Sequence, residues 1–170
     1  MFETFYPSEW LESAYDVDYE AMYKKGYRNI IFDIDNTLVF HGAPQNEASL
    51  KLLNSLKELG FKILFLSNNK EPRVRSFAEP VGAMYIYKAG KPGKKGYLKA
   101  VDMMGGTLEN TFFVGDQLFT DVWGAKRSGL YNILVKPLNS REEIQIVLKR
   151  ILERIVLRSY KKFLLKNVQE

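Results

Sequence analysis

Ile30-Ile31-Phe32-Asp33-Ile34-Asp35-Asn36-Thr37-Leu38-Val39 is the stretch from which the rest of the chain can be read. Its apolar residues run without alternation up to Asp33, the pattern of a strand buried on both faces of a parallel sheet. Ligands of open α/β sheets bind beyond the carboxyl ends of the strands, so Asp33 and Asp35 fall where chemistry is expected. Residues i and i+2 of an extended segment point the same way, and Thr37 continues the series. Without further context, the same residues also suit a strand end followed by an Asx-type turn.

Working outward, Ala48 to Leu59 places Leu52, Leu53, Leu56 and Leu59 at helical spacing and stops at Gly60. Phe61 to Leu66 reads as a second buried strand ending in the polar turn Ser67-Asn68-Asn69. Glu71 to Glu79 follows as a helix with Pro72 in its first turn, then a short strand near Ala83 to Tyr87. Pro92 opens the next helix after the loop that holds Lys91, and Thr111 to Val114 is a strand ending in Gly115-Asp116. Asp121 to Ser128 reads as a helix stopped by Gly129, and Tyr131 to Val135 as the last strand. Strand and helix alternate through five strands, which specifies a doubly wound parallel α/β sheet with helices on both faces.

Bulk properties set limits. At 170 residues, with 46% apolar and 14% aromatic residues, one domain with a substantial core is expected. The divisions are a helical leader over 1–28, a core over 29–137 and a basic amphipathic helix over 141–166. The absence of cysteine excludes disulfides and thiolate metal sites and suits a reducing, cytoplasmic setting. Met1 to Trp10 carries Glu3 and Glu9 and no apolar run, unlike a signal peptide. The aromatics Phe2, Phe5, Tyr6, Trp10, Tyr15, Tyr19 and Tyr23 are expected to pack across the sheet or its edge, with a partner-facing patch as the alternative.

Strand ends carrying Asp33/Asp35, Ser67 and Asp116 meet at one edge of such a sheet, and Lys91 precedes the helix that feeds the strand ending in Asp116. A carboxylate nucleophile, a carboxyl for proton transfer, a hydroxyl, a cation and a third carboxylate together suit phosphoryl transfer. The carboxylates repel by about 1 kcal/mol per pair at 4 Å in water, and by about 4 at an effective dielectric constant of 20. Hard oxygen donors without His or Cys point to Mg²⁺ as the balancing charge.

The segments DIDNTLV, LSNN, KP and GDQLFTD resemble the four motifs of the haloacid dehalogenase (HAD) superfamily in its phosphatase branch. The resemblance implies a Rossmann-like sheet and Mg²⁺-dependent transfer through an aspartyl phosphate. It implies Asp33 as nucleophile, Asp35 as acid/base, Ser67 and Asn68 beside the phosphate, and Lys91 as the charge-neutralising amine. It further implies Asp33, Asp35 and Asp116 at the metal, with Asp121 as an acidic neighbour. Thr37 either braces the loop or touches phosphate. An Asp two residues after the first argues against the dehalogenase and ATPase branches.

The leader PSEW, the segments SNNKEPRV and GDQLFTDVWGAKRSGL, and the Pro80-to-Pro92 segment narrow the resemblance to the YqeG-like, capless type III group. That group is related to mitochondrial phosphatidylglycerophosphate phosphatases, which makes a lipid phosphate a candidate substrate. Loops after the first two strands leave no room for a cap domain, so the site should be open to a large or membrane-presented substrate. The alternatives are a small metabolite, a nucleotide or a phosphoprotein as substrate. In another class stands a non-catalytic regulatory or RNA-binding protein on the same fold.

From Arg141 onward eight Lys/Arg stand against four Asp/Glu. Ile144, Val147, Leu148, Ile151, Ile155 and, after a phase shift, Tyr160, Phe163 and Leu164 form a stripe expected to cover the sheet in its first half. The second half has the composition of a basic helix lying on an anionic membrane at the inner face, with nucleic acid as the competing target.

Overall fold

The computed structural model describes residues 2–139 and 144–167. The Arg141 start of the expected last helix lies outside the described residues, as do the side chains of Ile144, Val147 and Leu148. Six parallel strands form one sheet: β1 (Glu9–Leu11), β2 (Asn29–Phe32), β3 (Lys62–Leu66), β4 (Met84–Ile86), β5 (Thr111–Gly115) and β6 (Tyr131–Val135). Their order is β1-β6-β5-β2-β3-β4. The helices are α1 (Tyr19–Lys24), α2 (Glu47–Leu59), α3 (Glu71–Ala78), α4 (Lys94–Met103), α5 (Trp123–Arg127) and α6 (Ile144–Asn167). Among the described residues, no helix is long and apolar enough to cross a membrane.

β2 lies between β3 and β5, and the chain winds one way through β3 and β4 and then the other way through β5 and β6. The crevice at such a reversal is the usual ligand position, and the carboxyl end of β2 opens into it. Alternate residues feed two layers. Ile30, Phe32, Phe65 and Phe112 pack against α1, α2 and α3 through Tyr19, Met22, Leu53, Leu56 and Phe77. Ile31, Leu64, Leu66 and Phe113 face α4 and α5 through Tyr97, Ala100, Val101 and Ala125. Each fully buried large side chain removes apolar area worth about 1.5–3 kcal/mol, so both faces drive β2 inward.

Three features differ from the sequence expectation. The leader over 1–28 is not wholly helical, because Glu9–Leu11 pairs with β6 and adds a sixth strand at the sheet edge. The helix expected from Pro92 starts at Lys94, with Gly93 as its N-cap. The segment expected as the helix Asp121–Ser128 begins earlier, as a π-helical turn over Leu118–Val122, and continues as α5. The leader aromatics pack as expected: Tyr19 against Phe32 and Phe112, Tyr23 against Phe61, Phe5 against Phe119 and Trp123.

The last helix is turned differently from the expected stripe. Ile151 and Ile155 are each 49% exposed, whereas Glu153, Val156 and Tyr160 are buried. Val156 and Tyr160 join Tyr6, Leu118, Val122 and Leu134 in a third cluster. Tyr160 and Phe163 stack on Tyr6 at ring separations of 5.2 and 5.4 Å. The buried side of α6 also carries Glu153 and the largely buried Arg150, whose partners are described below.

Candidate active site

The N–H of Asp33 continues the ladder one residue beyond β2, donating to the Val114 carbonyl at 2.9 Å. The chain then folds tightly, with the Ile34 carbonyl accepting from Thr37 and Leu38 and with Asn36 at φ +61°. Asn tolerates this left-handed conformation better than most residues. The turn sends Thr37 back under Asp33: its hydroxyl lies 3.2 Å from Asp33 Oδ2 and 3.3 Å from Asp116 Oδ1. It also gives Asp35 a different set of partners.

Asp35 accepts hydrogen bonds from the Gly42 N–H (2.7 Å), Asn69 Nδ2 (2.9 Å) and Arg73 Nη2 (2.9 Å). Thr37 thus meets Asp33 as expected, and Asp35 lines the same pocket as Asp33 but has its own set of partners, because the backbone leaves the extended conformation between Asp33 and Thr37. Burial pushes the Asp35 pKa up, but the Gly42 N–H and Arg73 outweigh it and hold the carboxyl below its ordinary value.

Lys91 is the cation at the bottom of the site. Its ammonium donates to Asp33 Oδ1 and to Asp121 Oδ1, both at 2.6 Å. Asn68 fixes the Lys91 backbone from both sides, accepting from its N–H at 2.8 Å and donating to its carbonyl at 3.1 Å. The Asn68 side chain thus holds Lys91, while the residue itself lines the pocket described below, where it was expected beside the phosphate. Burial alone would depress the Lys91 pKa, yet the Asp121 and Asp33 carboxylates raise it above its ordinary value. Asp121 accepts the Gln117 N–H at 3.0 Å, and the Tyr97 hydroxyl contacts the Thr120 and Asp121 carbonyls, bracing the π-helical turn.

Asp33, Asp116 and Asp121, all buried, each offer one carboxylate oxygen, and these oxygens lie within 4.8 Å of one another. Asp121, expected as an acidic neighbour, stands in this group as a third carboxylate. Burial, with the Asp121 and Asp35 charges, pushes the Asp33 pKa up to about 7 against the opposing pull of Lys91. Burial and the Asp121 and Asp33 charges raise the Asp116 pKa in the same way. Three crowded, buried, hard oxygen donors, with the Asp33 and Asp116 carboxyls resisting ionisation, fit a divalent cation of the Mg²⁺ type.

Asp33, Asp35, Ser67 and Lys91 line an open pocket of about 260 Å³, together with Asn36, His41, Asn68, Asn69, Gln117, Thr120 and Lys149. No inserted domain covers it among the described residues, since a short loop separates β2 from α2 and one helix lies between β3 and β4. Sequence reasoning missed three residues around the site. Arg73 holds Asp35, Arg150 contacts Asp116 through the ion pair at 2.5 Å, and Lys149 stands at the rim. Arg73 lies one turn into the helix that follows the Ser67 strand end, a position from which a side chain reaches back to that edge. No sequence pattern flags Arg150.

Comparison with known proteins agrees with the geometry. Residues 42–129 match the family model of the haloacid dehalogenase-like hydrolases. The chain is 37% identical to the probable phosphatase YqeG of Bacillus subtilis over 159 residues, covering 93% of this chain and 92% of that one. It is 28% identical to the chloroplastic/mitochondrial phosphatidylglycerophosphate phosphatase 1 of Arabidopsis thaliana, covering 90% of this chain but only 46% of that protein. The cobalt-bound deoxy-D-mannose-octulosonate 8-phosphate phosphatase of Haemophilus influenzae shares the fold, with a TM-score of 0.50 and 14% identity over 81% of this chain and 91% of that one. A six-stranded parallel sheet, carboxylates at the ends of its two central strands and a relative matched along nearly its whole length place this chain in the haloacid dehalogenase-like hydrolase family.

Proposed function

We propose that the chain is a phosphatase that hydrolyses phosphomonoesters with Mg²⁺ through an aspartyl phosphate on Asp33. The observation that carries this reading is the setting of Asp33. It is a buried carboxylate at the mouth of the sheet, with one oxygen on the Lys91 ammonium and the other beside Thr37, facing Asp116. Asp33, Asp116 and Asp121 would hold the Mg²⁺, which when bound would supply positive charge for the phosphoryl oxygens. Asp33 attacks phosphorus in line, and the bond to the leaving oxygen breaks as the Asp33–phosphorus bond forms. Lys91 offsets the charge on the equatorial oxygens, and the Ser67 hydroxyl binds one of them.

Asp35 is assigned the proton transfers. It gives a proton to the leaving alkoxide, then takes one from the water that attacks phosphorus as the Asp33 bond breaks and inorganic phosphate leaves. Paired with Arg73, it is held as the base, and acting as the acid requires it to exchange that pairing for a proton. Hydrolysis of an aryl phosphate tests the scheme. Asp33→Asn should lose turnover by more than about 1000-fold, and Asp35→Asn should slow both steps. Wild-type turnover in folded Asp33→Asn would remove the nucleophile assignment.

A lipid phosphate such as phosphatidylglycerophosphate is the proposed substrate, favoured by the surface around the open pocket. Phe40 beside His41 is 57% exposed and Tyr87 beside Lys88 is 41% exposed. Lys70, Lys88 and Lys149 are also exposed. The Lys88 N–H donates to the Asn69 carbonyl, which ties that segment to the rim. The outer face of α6 adds exposed Ile151, Leu152 and Ile155 among Arg154, Arg158 and Lys162. Aromatic and basic side chains together suit the interface of an anionic bilayer, each basic residue contributing about 1 kcal/mol near the surface.

The membrane contact expected for the second half of the helix is proposed for its exposed Phe163, Leu164 and Leu165 with Lys161, Lys162 and Lys166, together with the rim and the outer face of α6, while Tyr160 itself is buried against Tyr6. Vesicles of anionic phospholipid should bind the protein in a salt-sensitive manner, and Ile151→Ser/Leu152→Ser should weaken binding while aryl phosphate turnover survives. Hydrolysis of water-soluble sugar phosphates alone would refute the lipid reading, and preference for RNA over vesicles would move the partner to nucleic acid.

A further inference from the structure

We infer that Arg150, on the C-terminal helix α6, is a positioning residue that aims the Asp116 carboxylate at the metal site. The inference rests on Asp116 being a metal ligand and adds a helix outside the strand-end motifs to the working parts of that site. Arg150 Nη2 donates to Asp116 Oδ2 at 2.5 Å and Nη1 donates to the Asp116 backbone carbonyl at 2.6 Å. The guanidinium therefore grips the side chain and the main chain of one residue in a fork, a geometry that lysine cannot reproduce. With Oδ2 capped, the other oxygen, Oδ1, lies on the Thr37 side, the side Asp33 also faces.

The grip is itself held. Glu153 Oε2 accepts from Arg150 Nη1 at 2.9 Å, while Glu153 Oε1 accepts the Leu118 N–H at 2.8 Å, at the start of the π-helical turn that carries Asp121. One buried acid and one largely buried guanidinium thus join α6 to the segments bearing two of the three clustered carboxylates. A buried ion pair of this kind contributes little net stability compared with apolar packing, because desolvation consumes most of the Coulombic gain. Orientation of a metal-ligating carboxylate by an outer partner accounts for its place there, and loss of such partners lowers metal affinity by about 10- to 100-fold.

Mn²⁺ and Mg²⁺ affinities of the full chain, measured by calorimetry alongside thermal unfolding, test the proposal. Arg150→Gln should bind either ion about 10- to 100-fold more weakly. Arg150→Lys, which keeps the charge and loses the fork, should also bind more weakly while keeping its melting temperature closer to wild type. Glu153→Gln, which can still accept the Leu118 N–H, should fall between them and wild type.

The opposite sign is informative, because removing a positive charge beside a cation site by itself favours the cation. Tighter binding by Arg150→Gln would show that Arg150 competes with the metal and would overturn the positioning role. Unchanged affinity in Arg150→Lys would also overturn it, as would a loss of stability in all three variants with affinity unaltered. Asp116→Asn separates the two levels of argument. If that variant binds metal like wild type, the reading of the site itself fails; if it loses metal while Arg150→Gln does not, only the present inference fails.

Discussion

Replacing Asp33, the proposed nucleophile, should make this protein more stable. Asp33 is buried beside two other carboxylates, and its pKa is pushed from 3.8 to about 7. A carboxyl whose folded pKa is raised binds its proton more tightly in the folded chain than in the unfolded one. Stability therefore falls as the pH climbs from about 3.8 to about 7, and the full penalty applies above that window. At 1.36 kcal/mol per pKa unit the penalty is about 4 kcal/mol. Asn is nearly isosteric and cannot ionise, but it no longer offers a charge to Lys91, so about 2–4 kcal/mol is the expected net gain at pH 8. For a chain of this size that raises the melting temperature by about 5–10 °C. Thermal unfolding of wild type and Asp33→Asn with a chelator present should show this gap at pH 8 and a smaller one at pH 5. Added Mg²⁺ should narrow it by stabilising wild type. A variant that melts below wild type at pH 8, or a gap that does not change with pH, would refute the electrostatic account.

Other perturbations read out different contacts. Arg73→Ala frees Asp35 from the cation that holds its pKa down, so the acidic limb of the pH–rate profile should move to higher pH; an unmoved limb would separate Asp35 from that ionisation. Asn68→Ala removes both hydrogen bonds to the Lys91 backbone and should lower kcat about tenfold, equivalent to about 1.4 kcal/mol, in steady-state assays. Gly115→Ala would set a Cβ 2.7 Å from Asp121 Oδ2 and equally close to the Phe113 ring. It should cost about 1–3 kcal/mol by thermal unfolding and weaken metal binding by displacing Asp121.

Much of the site was legible because each contributing strand is an apolar run that ends abruptly in a polar residue. Asp33, Ser67 and Asp116 follow β2, β3 and β5, and parallel pairing brings those ends to one edge. The direction of Asp35 was not legible, since it depends on one left-handed residue, Asn36, which breaks the two-residue alternation. Nor was β1: three residues carry no periodicity, and Glu9–Leu11 is a strand only because β6 presents an open edge to it. The rotation of α6 escaped for a related reason. A hydrophobic stripe predicts burial from the helix alone, whereas Glu153 is buried by a demand from Arg150 and Leu118. The bracing of Lys91 by the Asn68 side chain was not legible either, because its two hydrogen bonds reach across 23 residues.

The contact between Tyr6 and α6 has a consequence for how the molecule comes into being. The Tyr6 hydroxyl meets the Ser159 hydroxyl at 2.7 Å, across 153 residues of chain, while the Tyr6 ring stacks on Tyr160. Synthesis proceeds from the N-terminus, so all six strands exist before this closure is available. A nascent chain that has reached Val135 already holds Asp33, Lys91, Asp116 and Asp121, yet its early aromatic segment still waits for the helix that covers it. The same late docking delivers Arg150 to Asp116. On the role inferred for Arg150, completion of the catalytic edge then waits on the same helix that covers the Tyr6 segment.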